Sequence, residues 1–283
     1  MTAAAPSVGV PVPPRPGRAV RLGRSLRWYA PAIAVFLGVL VLWELGVRAA
    51  EVRAFILPPP SAIAAALVDN WGAGRWPLFE SARTTLFEAV GGLVIGTIAG
   101  VVVAFAVSRW ASARDAVLPF AIAANAIPII AIAPIFNAWF GVTNPFSKMM
   151  IAALLVFFPV MINVTRGLTQ VEPSAIELMR SYAASEWEVL RKVRLPNALP
   201  YFLTAMKVAT TLSLIGAIVG EYFGGANDVL GRVIVQSASA LRFDVTWAAI
   251  LLGAATGIVF YLAIVAVERL VIPWHASVRT VEP

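Results

Sequence analysis

The chain has 283 residues, of which 60% are hydrophobic and 13% are charged. Soluble domains contain about 25% charged residues, so this composition indicates an integral membrane protein. Cysteine is absent, which excludes disulfides, iron–sulfur clusters and thiolate metal sites, and we expect neither a metal nor another cofactor.

Residues 1–27 combine five prolines with five arginines, a composition that predicts a disordered basic tail in the cytoplasm. The apolar run 29–47 has about the length of a membrane span and lacks a convincing signal-peptide cleavage site, so we interpret it as an anchor. Segment 28–80 thus comprises the first transmembrane helix and an extracytoplasmic part. In that part, Ser61 is predicted to cap a short helix over residues 62–70.

The remaining chain alternates apolar runs with short polar connections. Each run can cross a bilayer as a helix, which is the structure that satisfies every backbone polar group within one segment. The predicted fold class is therefore all-α, a polytopic membrane protein with six transmembrane helices, closed by a cytoplasmic tail over residues 275–283. The runs after the first are 89–107, 116–140, 149–165, 198–220 and 245–267.

Two of these runs have distinctive small or helix-breaking residues. Glycine recurs every four residues at Gly92, Gly96 and Gly100, a spacing that predicts close approach of two helix backbones. The third span contains Pro119, Pro128 and Pro134, which are predicted to break it, and prolines of this kind predict a kinked span that lines a cavity.

Segment 171–196 is the longest charged insertion between apolar runs, and it predicts two short helices. Ser174 with Glu177, and Ser185 with Glu188, each fit the S-x-x-E capping box that begins a helix. The pattern alone fits two interpretations equally: a surface that binds a partner, or an amphipathic loop lying on lipid headgroups.

Small residues at Ala183 and Ala184 mark the joint between these two helices. At the far end, Leu195 and Pro196 are predicted to stop the second helix, because proline disfavours the helical conformation of the residue before it.

The basic residues predict the orientation. With the N-terminus in the cytoplasm, 14 of the 22 lysines and arginines face the cytoplasm and seven face the other side, with Lys207 inside a span. This excess follows the positive-inside rule and places both termini in the cytoplasm. The net charge of +7 is thereby explained by topology, and no nucleic-acid partner is needed.

No catalytic motif is present, so we do not expect an enzyme. No G-x-x-x-x-G-K pattern precedes any lysine, and metalloprotease, hydrolase and dinucleotide fingerprints are missing. The acidic residues Glu44, Glu88, Glu221 and Glu268 fall one per span end, which predicts that they are scattered rather than paired as in a proton relay.

Polar side chains within the apolar runs are candidates for a translocation path, because lipid offers them no partner. Hydrogen bonding between neighbouring helices is an equal alternative. Lys207, about seven residues inside its span, either extends to the interface or has a function. The candidate path residues are Asn125, Asn137, Asn163, Thr210, Thr211 and Ser213.

Segment 171–196 resembles the EAA loop of binding-protein-dependent ATP-binding cassette importer permeases. Glu177 stands at the glutamate of that motif, Ala184 at its alanine, and Leu195-Pro196 at its closing dipeptide. Leu178 and Met179 replace the alanine pair. Ala183 stands at the usual glycine, where we expect it to adopt ordinary backbone angles.

The resemblance extends over residues 81–274, which are similar to the transmembrane domain of type I importers. Segments 57–61, 127–141 and 221–224 resemble the branch that handles nitrate, taurine, alkanesulfonates and vitamin precursors. Segment 179–187 is most similar to members that handle riboflavin or thiamine-pyrimidine precursors.

This resemblance implies a permease subunit of a bacterial plasma or inner membrane, which couples solute import to ATP hydrolysis by a separate ATPase subunit. Its implied partners are ABC ATPase subunits, an extracytoplasmic solute-binding protein, and a second permease copy, with a homodimer expected. The implied solute is small and organic, riboflavin or a thiamine-pyrimidine precursor, or else an alkanesulfonate, taurine or nitrate. The residues implied to contact the ATPase are Glu177, Tyr182, Ala183, Ala184, Ser185 and Glu186.

Two other functions remain open. A secondary transporter would need ionisable residues at a midplane site and an internal repeat, and neither is evident. A membrane scaffold without transport activity would not need Pro128, Pro134 and Asn137 in an otherwise apolar span.

Overall fold

The computed structural model describes residues 18–124 and 127–272. Within that part of the chain every regular element is helical, and the helices are numbered here in chain order. They are α1 (Arg18–Ala49), α2 (Pro60–Asp69), α3 (Leu78–Ser108), α4 (Ala111–Ala124), α5 (Ile129–Phe140), α6 (Pro145–Thr169), α7 (Pro173–Ser181), α8 (Glu186–Val189), a π-helical turn (Leu190–Arg194), α9 (Leu195–Tyr222), α10 (Leu230–Ser239) and α11 (Phe243–Val271).

The helix lengths confirm the all-α polytopic fold. Helices α1, α3, α6, α9 and α11 are each long and apolar enough to cross a membrane. Helices α4 and α5 meet at an angle of 93°, and as one broken span they bring the number to six. Helix α5 begins directly after Pro128, where a break was predicted, whereas α4 continues through Pro119 and α5 through Pro134, so no break occurs at those two prolines.

The centre of the bundle is formed by α3, α6 and α9, which pack backbone to backbone. A Cβ atom at Gly92 would lie 2.3 Å from the Cβ of Ala152, and one at Gly96 would lie 2.5 Å from the carbonyl oxygen of Ala153. On α9, a Cβ at Gly216 would lie 2.7 Å from the Cα of Ala152. The predicted close approach at the glycines of α3 is therefore present, and α6 lies between its two neighbours.

Helix α1 lies at the edge of the bundle and holds α2 through one carboxylate. Glu44 accepts hydrogen bonds from the Ser61 backbone N–H (3.0 Å) and from its hydroxyl (2.8 Å). The prediction that Ser61 caps α2 is wrong, because α2 already begins at Pro60, with Pro59 at the cap position. Since proline has no N–H and readily occupies the first helical position, the next backbone donor is left for Glu44 to satisfy.

The helices extend beyond the apolar runs. Helix α1 begins at Arg18, so residues 18–27 are helical and the predicted disordered tail is too long at its C-terminal end. Helix α6 begins at Pro145, where the Asn144 side chain accepts a hydrogen bond from the Phe146 N–H (3.0 Å). Polar residues thus form the terminal turns of spans whose apolar centres had been predicted.

Candidate functional site

Helix α7 forms the first half of the loop between α6 and α9. It begins at Pro173, with Glu172 at the cap position and no side-chain cap. The predicted capping box of Ser174 with Glu177 is therefore wrong, because Ser174 already lies in the first helical turn behind the proline. Glu177 is exposed.

Helix α7 ends in a Schellman motif. The Ala184 N–H donates to the Met179 carbonyl (3.0 Å), and the Ala183 N–H donates to the Arg180 carbonyl (2.9 Å). Ala183 has φ +51°, in the left-handed region. The expectation of ordinary backbone angles at Ala183 is wrong, since this helix ending needs one left-handed residue. The glycine of the related motif would occupy that position without steric cost.

Helix α8 begins with the second capping box, which is confirmed. The Ser185 hydroxyl accepts a hydrogen bond from the Glu188 N–H (3.3 Å), and the Glu188 carboxylate accepts one from the Ser185 N–H (2.9 Å). Lys192 donates to the same carboxylate at 3.2 Å. The joint between the two short helices is therefore fixed by hydrogen bonds on both sides.

The outer face of the two short helices is apolar and uncovered. Leu178 is 57% exposed, Tyr182 76% and Trp187 65%, and α7 buries none of its residues. Large apolar side chains grouped in this way indicate a surface that another molecule covers. The six residues assigned to ATPase contact lie along this face or at the joint, all exposed except the half-buried Ala184.

The second short helix continues into α9. Through the π-helical turn the Leu195 N–H donates to the Leu190 carbonyl, and the helix runs on to Tyr222. The prediction that Leu195 and Pro196 stop the helix is wrong. Because the π-turn accommodates an extra residue, the chain passes Pro196, which has no N–H to donate, without breaking.

The base of the loop is tied to the bundle by one amide. The Asn197 side chain donates to the carbonyls of Gly167 (2.7 Å) and Gln170 (3.1 Å) at the end of α6. The last turn of α6 and the first turn of α9 are thus joined where the loop leaves the bundle.

Of the asparagines assigned to the translocation path, Asn125 lies outside the described residues. Asn137 is buried, donates to the Gly220 carbonyl (3.1 Å) and accepts from the Ser147 hydroxyl (2.9 Å). Asn163 is half-buried and donates to the Pro159 carbonyl of its own helix (2.8 Å).

The three hydroxyl residues assigned to the path lie on α9 and face different ways. Thr210 and Ser213 are buried, and their hydroxyls donate to the carbonyls of Lys207 (2.8 Å) and Thr210 (2.9 Å). Thr211 is exposed and lines a cavity.

That cavity has a volume of about 440 Å³ and lies between α9, α10 and α11. Its wall contains no charged side chain. It is lined by Thr211, Leu214, Ile215, Ile218, Tyr222, Ile234, Ala249, Ile250, Gly253, Ala254, Gly257, Ile258 and Tyr261.

The comparisons with known proteins agree on one family. The family described as binding-protein-dependent transport system inner membrane component matches residues 92–274. The chain belongs to this permease family. It is a multi-pass membrane subunit of a binding-protein-dependent ABC transport system.

Similar proteins cover nearly the whole permease. The formylaminopyrimidine transport permease protein ThiX of Halalkalibacterium halodurans is 30% identical, over 89% of this chain and 98% of that protein. The riboflavin transport system permease protein RibX of Chloroflexus aurantiacus is also 30% identical, over 91% of this chain and 95% of that protein. The crystal structure of an amino acid ABC transporter has the same fold, with a TM-score of 0.56 and 17% identity over 69% of this chain and 94% of that one.

The permease also contains a buried polar network that was not anticipated. Lys148 of α6 and Glu221 of α9 are fully buried, and Glu88 of α3 lies beside Glu221. The Lys148 ammonium donates to the Ser147 hydroxyl (3.0 Å) and to the Val142 carbonyl. The prediction that Glu88 and Glu221 are scattered is wrong, because both carboxylates converge from different helices.

This network reaches the N-terminus of α10. The Glu221 carboxylate accepts a hydrogen bond from the Gly231 N–H (2.6 Å), and the Thr85 hydroxyl accepts one from the Leu230 N–H (3.0 Å). A carboxylate at a helix N-terminus satisfies its unpaired donors and interacts favourably with the helix dipole. The only signal in the sequence was the charge of Glu88 and Lys148 beside apolar runs, which does not identify the partners.

A second ion pair joins α9 to α11 of the permease. The Lys207 ammonium lies 2.9 and 3.0 Å from the two carboxylate oxygens of Glu268. Lys207 therefore has a partner at its own depth, and Glu268 is paired with a cation rather than scattered as predicted.

Proposed function

We propose that this permease couples the import of a small organic solute to ATP hydrolysis on a separate subunit, through the loop between α6 and α9. The observation that carries this proposal is the uncovered apolar face of α7 and α8, whose second helix is continuous with α9. An ATPase groove closing on this loop displaces α8, and the displacement passes directly into a helix of the central bundle.

The assembly that fits this function contains ABC ATPase subunits, an extracytoplasmic solute-binding protein and a second permease copy, in a homodimer. The family is binding-protein-dependent, which supports the first two partners. The contact with the ATPase comprises Glu177, Tyr182, Ala183, Ala184, Ser185 and Glu186.

The solute class that we favour is the riboflavin or thiamine-pyrimidine precursor class. This rests on the two relatives at 30% identity, whose names state riboflavin and formylaminopyrimidine. Alkanesulfonates, taurine and nitrate are the competing class.

Association with the ATPase tests the coupling. Ala183→Glu places a charge at the joint and should abolish co-purification of the ATPase with the permease, while Glu177→Ala should weaken it. Glu172→Ala is the matched control, because Glu172 is also exposed on the loop but lies at the opposite end of α7. Full association and ATP hydrolysis in both variants would show that the loop lies on lipid instead.

The orientation that this function requires places the loop and both termini in the cytoplasm. Because the chain has no cysteine, single thiols report accessibility without background. An impermeant thiol reagent added to intact cells should label Asn227→Cys and leave Ser174→Cys unlabelled, both positions being exposed. Labelling at Ser174→Cys would reverse the proposed topology.

A further inference from the structure

Three of the residues that line the cavity between α9, α10 and α11 carry hydroxyl groups with no hydrogen-bond partner among the described residues. They belong to Thr211, Tyr222 and Tyr261. Other hydroxyls on the same two helices are paired: the Thr210 hydroxyl donates to the Lys207 carbonyl, and the Thr256 hydroxyl donates to the Leu252 carbonyl, each at 2.8 Å.

Two of these hydroxyls lie inside membrane spans, that of Thr211 on α9 and that of Tyr261 on α11, whereas Tyr222 is the last residue of α9. Hydrocarbon offers no partner to a hydroxyl group, so lipid tails alone leave Thr211 and Tyr261 unsatisfied, which points to a polar occupant. Thr211 and Tyr222 are three turns apart on α9, a separation of about 16 Å, so the hydroxyls are spread along an elongated cleft.

The remainder of the wall is apolar and uncharged. Isoleucines form much of it, and neither lysine, arginine, histidine nor an acidic residue takes part. An anion entering this space would lose its hydration without gaining a cationic partner. An uncharged molecule avoids that penalty.

We infer that this cavity binds the transported solute, and that the solute is an uncharged heteroaromatic compound rather than an anion. This inference rests on the proposed import function. A tyrosine lies toward each end of the cleft, so one of these rings can stack on the face of a flat ring, and the hydroxyls near it donate to or accept from its nitrogen and oxygen atoms. A volume of about 440 Å³ lies within the range of small-molecule sites.

The accessibility of an introduced cysteine tests what occupies the cavity. The transporter, assembled with its ATPase and solute-binding protein in proteoliposomes, carries Ile250→Cys in the cavity wall or Val259→Cys as control. Val259 lies on the same helix, is 66% exposed and does not line the cavity. A hydrophilic methanethiosulfonate reagent should label the first thiol and not the second, because thiolates form in water and not in lipid.

Protection from labelling identifies the chemical class. Riboflavin or formylaminopyrimidine should slow labelling of Ile250→Cys at least threefold, and ethanesulfonate should have no effect. Protection by ethanesulfonate alone, or by none of the three, overturns the inference. Absence of labelling assigns the cavity to lipid, and a disulfide formed between two copies at Ile250→Cys assigns it to the permease interface.

Uptake kinetics test the hydroxyls separately from the coupling. Thr211→Val and Tyr261→Phe should each raise the KM for the uncharged solute about threefold to tenfold, the effect of one lost hydrogen bond. Thr256→Val is the matched control and should leave KM unchanged, because its hydroxyl already pairs within α11. If KM is unchanged in both cavity variants while the ATPase still co-purifies, the cavity assignment alone is refuted. If the ATPase does not co-purify with the unmodified protein, the import function itself is refuted.

Discussion

The loop between α6 and α9 and the polar network at the other end of the same two helices both hold charged side chains, but by different means. In the loop, Glu188 is held by Ser185 and Lys192, which are three and four residues away and solvent-accessible. In the network, Lys148 and Glu221 come from different helices and are fully buried. Local hydrogen bonds thus shape the exposed end, and long-range contacts between helices hold the buried end.

A substitution in the loop and one in the buried network should therefore reduce the free energy of unfolding by different amounts. Exposed ion pairs contribute about 0–1 kcal/mol, because water and salt screen them and because two flexible side chains must be ordered. Breaking a buried charge cluster costs about 3–5 kcal/mol, because the remaining charge is left without a partner.

The largest expected difference in stability is between substitutions of two lysines, one buried and one exposed. Lys148→Met should destabilise the permease by about 3–5 kcal/mol, since it removes the buried cation that interacts with Glu88 and Glu221 and leaves its buried hydrogen-bond acceptors without a donor. Lys192→Met should change stability by less than about 0.5 kcal/mol. Thermal unfolding of the detergent-solubilised protein measures both. Equal unfolding temperatures for the two variants would mean that the buried network does not stabilise the fold.

A smaller difference in stability is expected between alanine substitutions of two serines near the starts of the loop helices. Ser185→Ala should weaken α8 by about 1 kcal/mol, because its hydroxyl accepts the Glu188 N–H. Ser174→Ala should have no such effect, because Ser174 lies behind Pro173 inside the first turn of α7. Hydrogen exchange at the Glu188 amide should become about fivefold faster in the first variant only. Faster exchange at the Glu177 amide in Ser174→Ala would instead support the capping box of Ser174 with Glu177.

The smallest expected effect is a gain in stability. Ala183→Gly should stabilise the joint by roughly 0.5–1 kcal/mol, because relief of about 1–2 kcal/mol of left-handed strain exceeds the backbone entropy cost of glycine. Ala184→Gly serves as control and brings no gain, since Ala184 does not have a positive φ. Protease resistance of the loop should rise in Ala183→Gly alone. A drop in resistance there would contradict the Schellman ending.

The features that could be predicted from the sequence depend on residues that lie close together in the chain. Apolar runs located the spans, the glycines of α3 located the close packing against α6, and Ser185 with Glu188 predicted a capping box, because each signal lies within a few turns of one helix. The errors at Ser61 and Ser174 share one cause. In both cases a proline immediately before the serine takes the first helical position and moves the helix start upstream.

What the sequence could not predict depends on the arrangement of helices. Glu88, Lys148 and Glu221 lie on three spans, and no spacing rule states which faces of those spans meet. Thr210 and Thr211 are adjacent in sequence, yet one is buried and the other lines a cavity. Only the packing of α9 against α6 and α11 distinguishes them.

The unbroken helix from Glu186 to Tyr222 makes the two ends of the permease mechanically dependent on each other. Its 37 residues span about 55 Å, well beyond the roughly 30 Å of a bilayer's hydrocarbon core. In the proposed coupling, a push on α8 therefore acts on the same helix that carries Glu221, and through the hydrogen bond from Gly231 to that carboxylate it also acts on the start of α10.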